Sequence, residues 1–260
     1  MTRLDDLFTT CRKQNRAALI GYLPVGFPSY GESVAAMVAM VEGGVDAVEV
    51  GVPYTDPGMD GPVIQIAVDA ALKNGIRVAQ VFDAVREVSR HAPTVVMGYW
   101  NPIEKLTPAV FAERLKQAGG SGAVTPDLIP EEAGPWLEAA RAHDLDPIFL
   151  VAPSSTDERI KVVGDTNRGF VYAASTMGVT GTRATVGNRA QELVARTRTL
   201  TTLPVCVGLG VSNGDQAAEV AAYADGVIVG SAFVRALQDE GVAAVRLLAQ
   251  DLARGVRRRA

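Results

Sequence analysis

Residues 17–52 read AALIGYLPVGFPSYGESVAAMVAMVEGGVDAVEVGV, and the fold turns on how this stretch divides. Its ends, AALIGYL from Ala17 and DAVEVGV from Asp46, are short apolar runs bounded by Pro, Gly and Asp, the pattern of strands buried on both faces. Between them, SYGESVAAMVAMVEGG from Ser29 has helical periodicity and closes on two glycines. Strand, helix and strand in that order make a parallel unit with a right-handed crossover.

The alternation continues outward. Six further runs follow: TVVMGYW from Thr94, SGAVTPD from Ser121, PIFLVAP from Pro147, GFVYAAS from Gly169, PVCVGLG from Pro204 and DGVIVGS from Asp225. Helical stretches separate them, such as PAVFAERLKQAGG from Pro108, which opens on Pro and closes on Gly. Eight such units in a chain near ~250 residues predict an α/β fold, a (β/α)8 TIM barrel, rather than the alternative of an open Rossmann-like sheet. The opening MTRLDDLFTTCRKQN adds an amphipathic N-terminal helix and does not read as an export signal. No Pro-rich linker, charge block or composition shift marks a boundary, so one domain is expected over residues 1–260.

Composition narrows the function. With 48% hydrophobic and 21% charged residues the chain can bury a large core. The net charge of −4, a pI near 5.3 and the lack of a basic block before Arg257, Arg258 and Arg259 argue against nucleic acid as a partner. No run of about 18 apolar residues suggests a membrane span. Two cysteines, Cys11 and Cys206, build neither a disulfide framework nor a zinc site and point to the cytoplasm. His91 and His143 lie too far apart for a histidine triad or a metal site.

Two connections are long, Pro53 to Gly61 and Thr176 to Asn188, and both leave strand C-terminal ends, where barrel active sites lie. Glu49 sits inside the second run, where an ionised carboxylate is costly unless it is paired or used. A structural ion pair, or a side chain turned toward a helix, is the alternative to a catalytic role. Asp60 adds a second acid above the barrel mouth, whereas Asp56 reads as an ordinary Asx-turn residue. Gly178–Gly181, Gly208–Ser212 and Gly230–Phe233 follow the sixth, seventh and eighth runs and together suggest a phosphate site, with tight turns as the alternative. Tyr22, Tyr99 and Tyr172 stand near strand ends, suited to clasping a flat ring or satisfied as core tyrosines. The lysines, at 13, 73, 105, 116 and 161, all fall in helices or loops, so Schiff-base chemistry lacks its nucleophile.

The strings VEVGVPYTDPGMDGPVIQ from Val48, YAASTMGVTG from Tyr172, VGLGVS and GVIVGSA resemble the tryptophan synthase alpha subunit family over essentially the whole chain. That resemblance implies a TIM barrel cleaving indole-3-glycerol phosphate into indole and glyceraldehyde 3-phosphate. By motif, Glu49 matches the acid and base, Asp60 the partner of the indole N–H, and Tyr172 the tyrosine near the reacting centre. Gly181, Gly210, Gly230 and Ser231 match the phosphate site, and Tyr22 and Tyr99 the indole pocket. Asp56 and Asp127 match positions tied to loop closure and to a β subunit in an α2β2 complex. Pyridoxal phosphate is expected in that β subunit alone, with no cofactor in this chain. The chain carries PGMDGP where PLADGP is common, STMGVTG where SRSGVTG is common, and Tyr22 where Phe is common, so Arg183 is a candidate for closing the second loop. A stand-alone indole-releasing lyase, another phosphate-binding barrel and a non-enzymatic scaffold are the competing readings.

Overall fold

A computed structural model describes residues 2–174, 183–208 and 210–258. All eight apolar runs become parallel strands: β1 (Ala18–Pro24), β2 (Ala47–Gly51), β3 (Thr94–Met97), β4 (Gly122–Val124), β5 (Asp146–Ile148), β6 (Leu150–Val151), β7 (Val171–Ala174), β8 (Val205–Gly208) and β9 (Gly226–Val229). Their spatial order is β5-β4-β3-β2-β1-β9-β8-β7-β6. Because β5 and β6 are halves of one run, the ring closes as a (β/α)8 TIM barrel.

The break between the halves has a local cause. The buried Asn167 side chain accepts the Phe149 N–H at 3.0 Å and donates at 3.2 Å to its carbonyl, which the Tyr172 N–H also reaches at 3.4 Å. A side-chain amide there satisfies a backbone N–H that a neighbouring strand would otherwise pair.

Among the described residues twelve α-helices accompany the strands. The first six are α1 (Arg3–Lys13), α2 (Tyr30–Glu42), α3 (Pro62–Lys73), α4 (Val78–Val88), α5 (Trp100–Leu106) and α6 (Pro108–Gln117). The remainder are α7 (Gly134–Ala142), α8 (Asp157–Thr166), α9 (Arg183–Leu200), α10 (Gly214–Ala221), α11 (Ser231–Glu240) and α12 (Val242–Val256). One expectation is corrected here. The second long connection does not run as a loop to Asn188, because α9 begins at Arg183, and Ala190, Leu193, Val194 and Thr197 bury one helical face.

Alternation along the strands sorts apolar side chains into two cores. The larger lies between the sheet and the surrounding helices, with Leu19, Val48, Val50, Val96 and Val207 from the strands against Met37, Phe111 and Trp136. The smaller fills the barrel interior with Ile20, Ala47, Val95, Val124, Ile148, Cys206 and Ile228. At its floor α1 inserts Leu4, Phe8 and Cys11, and Phe8 packs on Phe170 with ring centroids 5.8 Å apart. Apart from the buried Asp146, the floor is therefore apolar and closed. Chemistry is left to the opposite end, where the strands terminate.

Candidate active site

A cavity of about 190 Å³ opens at the C-terminal ends of the strands. Its wall is made by Tyr22 from β1, Glu49 from β2, Tyr172 from β7, and Gly230 and Ser231 at the start of α11, with Asp60 arriving from the β2–α3 connection. Glu49 and Tyr22 are register partners on adjacent strands, so they stand side by side at one height. Period-two alternation turns both inward.

Glu49 is wholly buried, and neither of its carboxylate oxygens has a hydrogen-bond partner among the described residues. Desolvation raises its pKa to about 8, because a low-dielectric site disfavours the charged form. Asp60, half-buried just before α3, rises to about 6 by desolvation, while a hydrogen bond from the Tyr99 hydroxyl acts in the opposite direction. The two acids thus differ in protonation near neutral pH: Glu49 holds its proton and Asp60 has lost it.

Three glycines give the aromatic rings their room. A Cβ at Gly51 would stand 2.6 Å from the Tyr22 hydroxyl, one at Gly208 2.7 Å from the Tyr172 hydroxyl, and one at Gly230 3.0 Å from the Tyr22 ring. Gly51 and Gly208 carry this duty unnoticed in the sequence, since a glycine ending a strand also suits a turn. Gly210 has open space around it but a φ of +64°, so backbone conformation is what favours glycine there. With Gly230 and Ser231 it faces the cavity beside the N-terminus of α11, whose first-turn N–H groups lack intrahelical acceptors and favour an anion.

A family model described as tryptophan synthase alpha chain matches residues 8–257. The chain belongs to the tryptophan synthase alpha chain family. It is 57% identical over 262 residues to the tryptophan synthase alpha chain of Mycobacterium intracellulare, covering 100% of this chain and 96% of that one. A solved structure of Mycobacterium tuberculosis tryptophan synthase in space group F222 superposes with a TM-score of 0.94 at 55% identity, covering 98% of each chain. The tryptophan synthase subunit alpha of Legionella pneumophila str. Paris superposes with a TM-score of 0.89 at 29% identity, again covering 98% of each. The role of the tryptophan synthase alpha family is to cleave indole-3-glycerol phosphate and to hand on indole, a lyase step in tryptophan synthesis.

Among the residues that the family motifs single out, Tyr22, Glu49, Asp60, Tyr172, Gly210, Gly230 and Ser231 converge on the one cavity. Gly181, with Thr176 and Met177, lies outside the described residues, as does the side chain of Arg183. Tyr99 is not on the cavity wall itself but reaches it through Met59. Its hydroxyl accepts the N–H of Met59 at 2.9 Å, and Met59 in turn lines the cavity. Asp56 faces a separate outer hollow with Tyr54, Gly58 and Gln65, and its carboxylate accepts the Thr55 hydroxyl at 2.6 Å. Asp127 caps α5, accepting the N–H of Trp100 at 2.9 Å. Met59, Ile64, Met97, Leu150 and Ile228 complete the apolar wall without having been foreseen. Strand alternation could have found the last three. Among the described residues no His, Cys, Asp and Glu cluster could hold a metal ion, and no helix is long and apolar enough to cross a membrane.

Proposed function

We propose that Glu49 moves the protons and Asp60 holds the indole nitrogen in a retro-aldol cleavage of indole-3-glycerol phosphate. The observation that carries this reading is Glu49 itself: a fully buried carboxyl on the cavity wall, with no hydrogen-bond partner for either oxygen among the described residues. An acid left so is costly to the fold and gains its partner when substrate arrives.

The reaction needs a proton delivered to indole C3 and one removed from the glycerol hydroxyl. Protonation at C3 makes the ring an electron sink and places positive charge on its nitrogen. Loss of the hydroxyl proton forms the aldehyde, the carbon–carbon bond breaks, and its electron pair restores the aromatic ring. Glu49, protonated at neutral pH, supplies the first proton; the resulting carboxylate takes the second and returns to its starting state. Asp60, ionised above pH 6 or so, accepts a hydrogen bond from the ring N–H and stabilises the charge that develops there. Tyr22 and Tyr172 flank the ring. Gly210, Gly230, Ser231 and the N-terminus of α11, with Gly181, hold the phosphate, whose binding energy orients the reacting bond.

The chain acts as one barrel domain in the cytoplasm and passes indole to a tryptophan synthase β subunit, which carries the pyridoxal phosphate. The exposed Asp56 loop and the Asp127 segment at the barrel mouth form the docking face. Incubating the purified chain with indole-3-glycerol phosphate, alone and with the β subunit of the same organism, and following indole tests this directly. Slow release alone and faster release in the complex is the expected result. No indole under either condition overturns the assignment, and full activity alone with no complex in sedimentation overturns the partner.

A further inference from the structure

We propose that Tyr99 is a positioning residue: it holds Asp60 at the cavity and ties that acid to the segment bearing Asp127. The inference rests on the role given to Asp60 above. Thr55, Asp56, Gly58 and Met59 of the β2–α3 connection are exposed, so the connection needs an anchor to the barrel. Its own bonds are local. Gly58 donates to the Asp56 carbonyl at 2.9 Å, Asp60 to the Pro57 carbonyl at 3.0 Å, and the Gln65 side chain to the Asp60 carbonyl at 2.8 Å. These shape the loop without fixing where it stands over the strands.

Tyr99 supplies the anchor from the next strand end. Its hydroxyl accepts the Met59 N–H at 2.9 Å, which fixes the backbone immediately before Asp60, and the phenol lowers the Asp60 carboxyl against its desolvation. A phenol that accepts one N–H still has its own proton to offer the neighbouring carboxylate. Its ring packs on Tyr54 at the other end of the same connection, with centroids 5.4 Å apart, and the Tyr54 hydroxyl accepts Asn101 Nδ2 at 3.0 Å. Both ends of the loop thereby close on one side chain that is 6% exposed. Immediately after it, the Trp100 N–H donates to Asp127 at 2.9 Å, which joins the β4 end of the barrel to the same cluster. A change at Asp127 reaches Asp60 through one peptide unit and one hydroxyl.

The titratable groups around Asp60 are Tyr22 from β1, Glu49 on the same cavity wall, Tyr99 and Tyr172 from β7. Tyr99 is the one that stabilises the ionised acid, since an O–H donated to a carboxylate strengthens when the charge is present.

The test is to follow the Asp60 carboxyl by carbon NMR titration, with indole release across pH measured beside it. Tyr99→Phe keeps the ring and deletes the hydroxyl. The Asp60 titration should move upward by about half a unit, roughly threefold in its ionisation constant, and kcat should fall about tenfold with its acid limb following. Asp127→Ala should move the same titration in the same direction by less, and Asp127→Asn, which keeps an acceptor oxygen, should restore it. An unmoved titration in Tyr99→Phe overturns the positioning role whatever the activity. An unmoved titration in Asp127→Ala overturns the link to Asp127. A shifted titration with unchanged indole release upholds the link from Tyr99 to Asp60 and removes instead the catalytic role of Asp60.

Discussion

Two carboxylates are withdrawn completely from water at opposite ends of this barrel, Glu49 at the mouth and Asp146 at the floor. Burial raises both, Glu49 to about 8 and Asp146 to about 6. Asp146 has company. The Arg168 guanidinium lies 3.3 Å from its Oδ1 as an ion pair without the alignment of a directed hydrogen bond, and Thr2, the residue capping α1, lowers it too. Leu4 of α1 and Gly169 close over it, so that no Cβ would fit at Gly169 without meeting Leu4 at 2.8 Å and the Asp146 carboxylate at 3.3 Å. Among the described residues Glu49 has no such ion pair; it has a cavity. Equal burial therefore means different things: at the floor a charge is partly compensated and sealed, at the mouth the cost is left standing for a ligand to offset.

The largest contrast expected is in catalysis. Glu49→Gln should lower indole release by about 10²–10⁴-fold, the usual contribution of a general acid–base group, while Asp146→Asn should leave it within about threefold. Glu49→Gln retaining activity within tenfold would erase the distinction between the two ends.

Stability should separate them next, through pH. A carboxyl raised by the fold binds its proton more tightly folded than unfolded, so stability falls as pH climbs from the unfolded toward the folded pKa. For Glu49 that window runs from 4.5 to about 8, for Asp146 from 3.8 to about 6. Replacing Glu49 by Gln removes the penalty, a gain on the order of a few kcal/mol at pH 9 that vanishes near pH 4. The gain from Asp146→Asn should be smaller and already complete at pH 7. Thermal melts of both variants at pH 4, 7 and 9 check the two windows, and parallel curves would contradict the unequal environments.

A smaller effect should come from Arg168→Leu, which leaves Asp146 without its cation. Because Arg168 is 42% exposed, the loss should be about 1 kcal/mol at pH 7, shrinking as pH falls through about 6 and the carboxyl protonates, with indole release unchanged. A large loss of activity in that variant would mean that the floor communicates with the mouth.

The strands were legible because their chemistry is local: each apolar run marks a segment buried on both faces. So was the cost of Glu49, a charged residue inside AVEVGV. What stayed illegible depends on distant partners. Nothing near Phe149 announces that Asn167 will occupy its backbone, and nothing near Met59 announces the Tyr99 hydroxyl. Asp127 reads as a loop acid until its bond to Trp100 is seen. The helix starting at Arg183 was hidden by the Gly and Thr residues before it, which read as loop, although the spacing of Ala190, Leu193, Val194 and Thr197 carries the signal.

The floor plug also sets an order of assembly. Synthesis makes α1 before any strand, yet Phe170 and Cys206, against which Phe8 and Cys11 pack, emerge more than half the chain later. The N-terminal helix must wait, its apolar face exposed, until β7 and β8 have joined the ring. Contacts of such sequence separation form slowly because loop-closure entropy is lost before they can reward it. The eleven residues of α1 are thus made before every strand and among the last to settle, and until they settle the growing barrel presents an open apolar end to its surroundings.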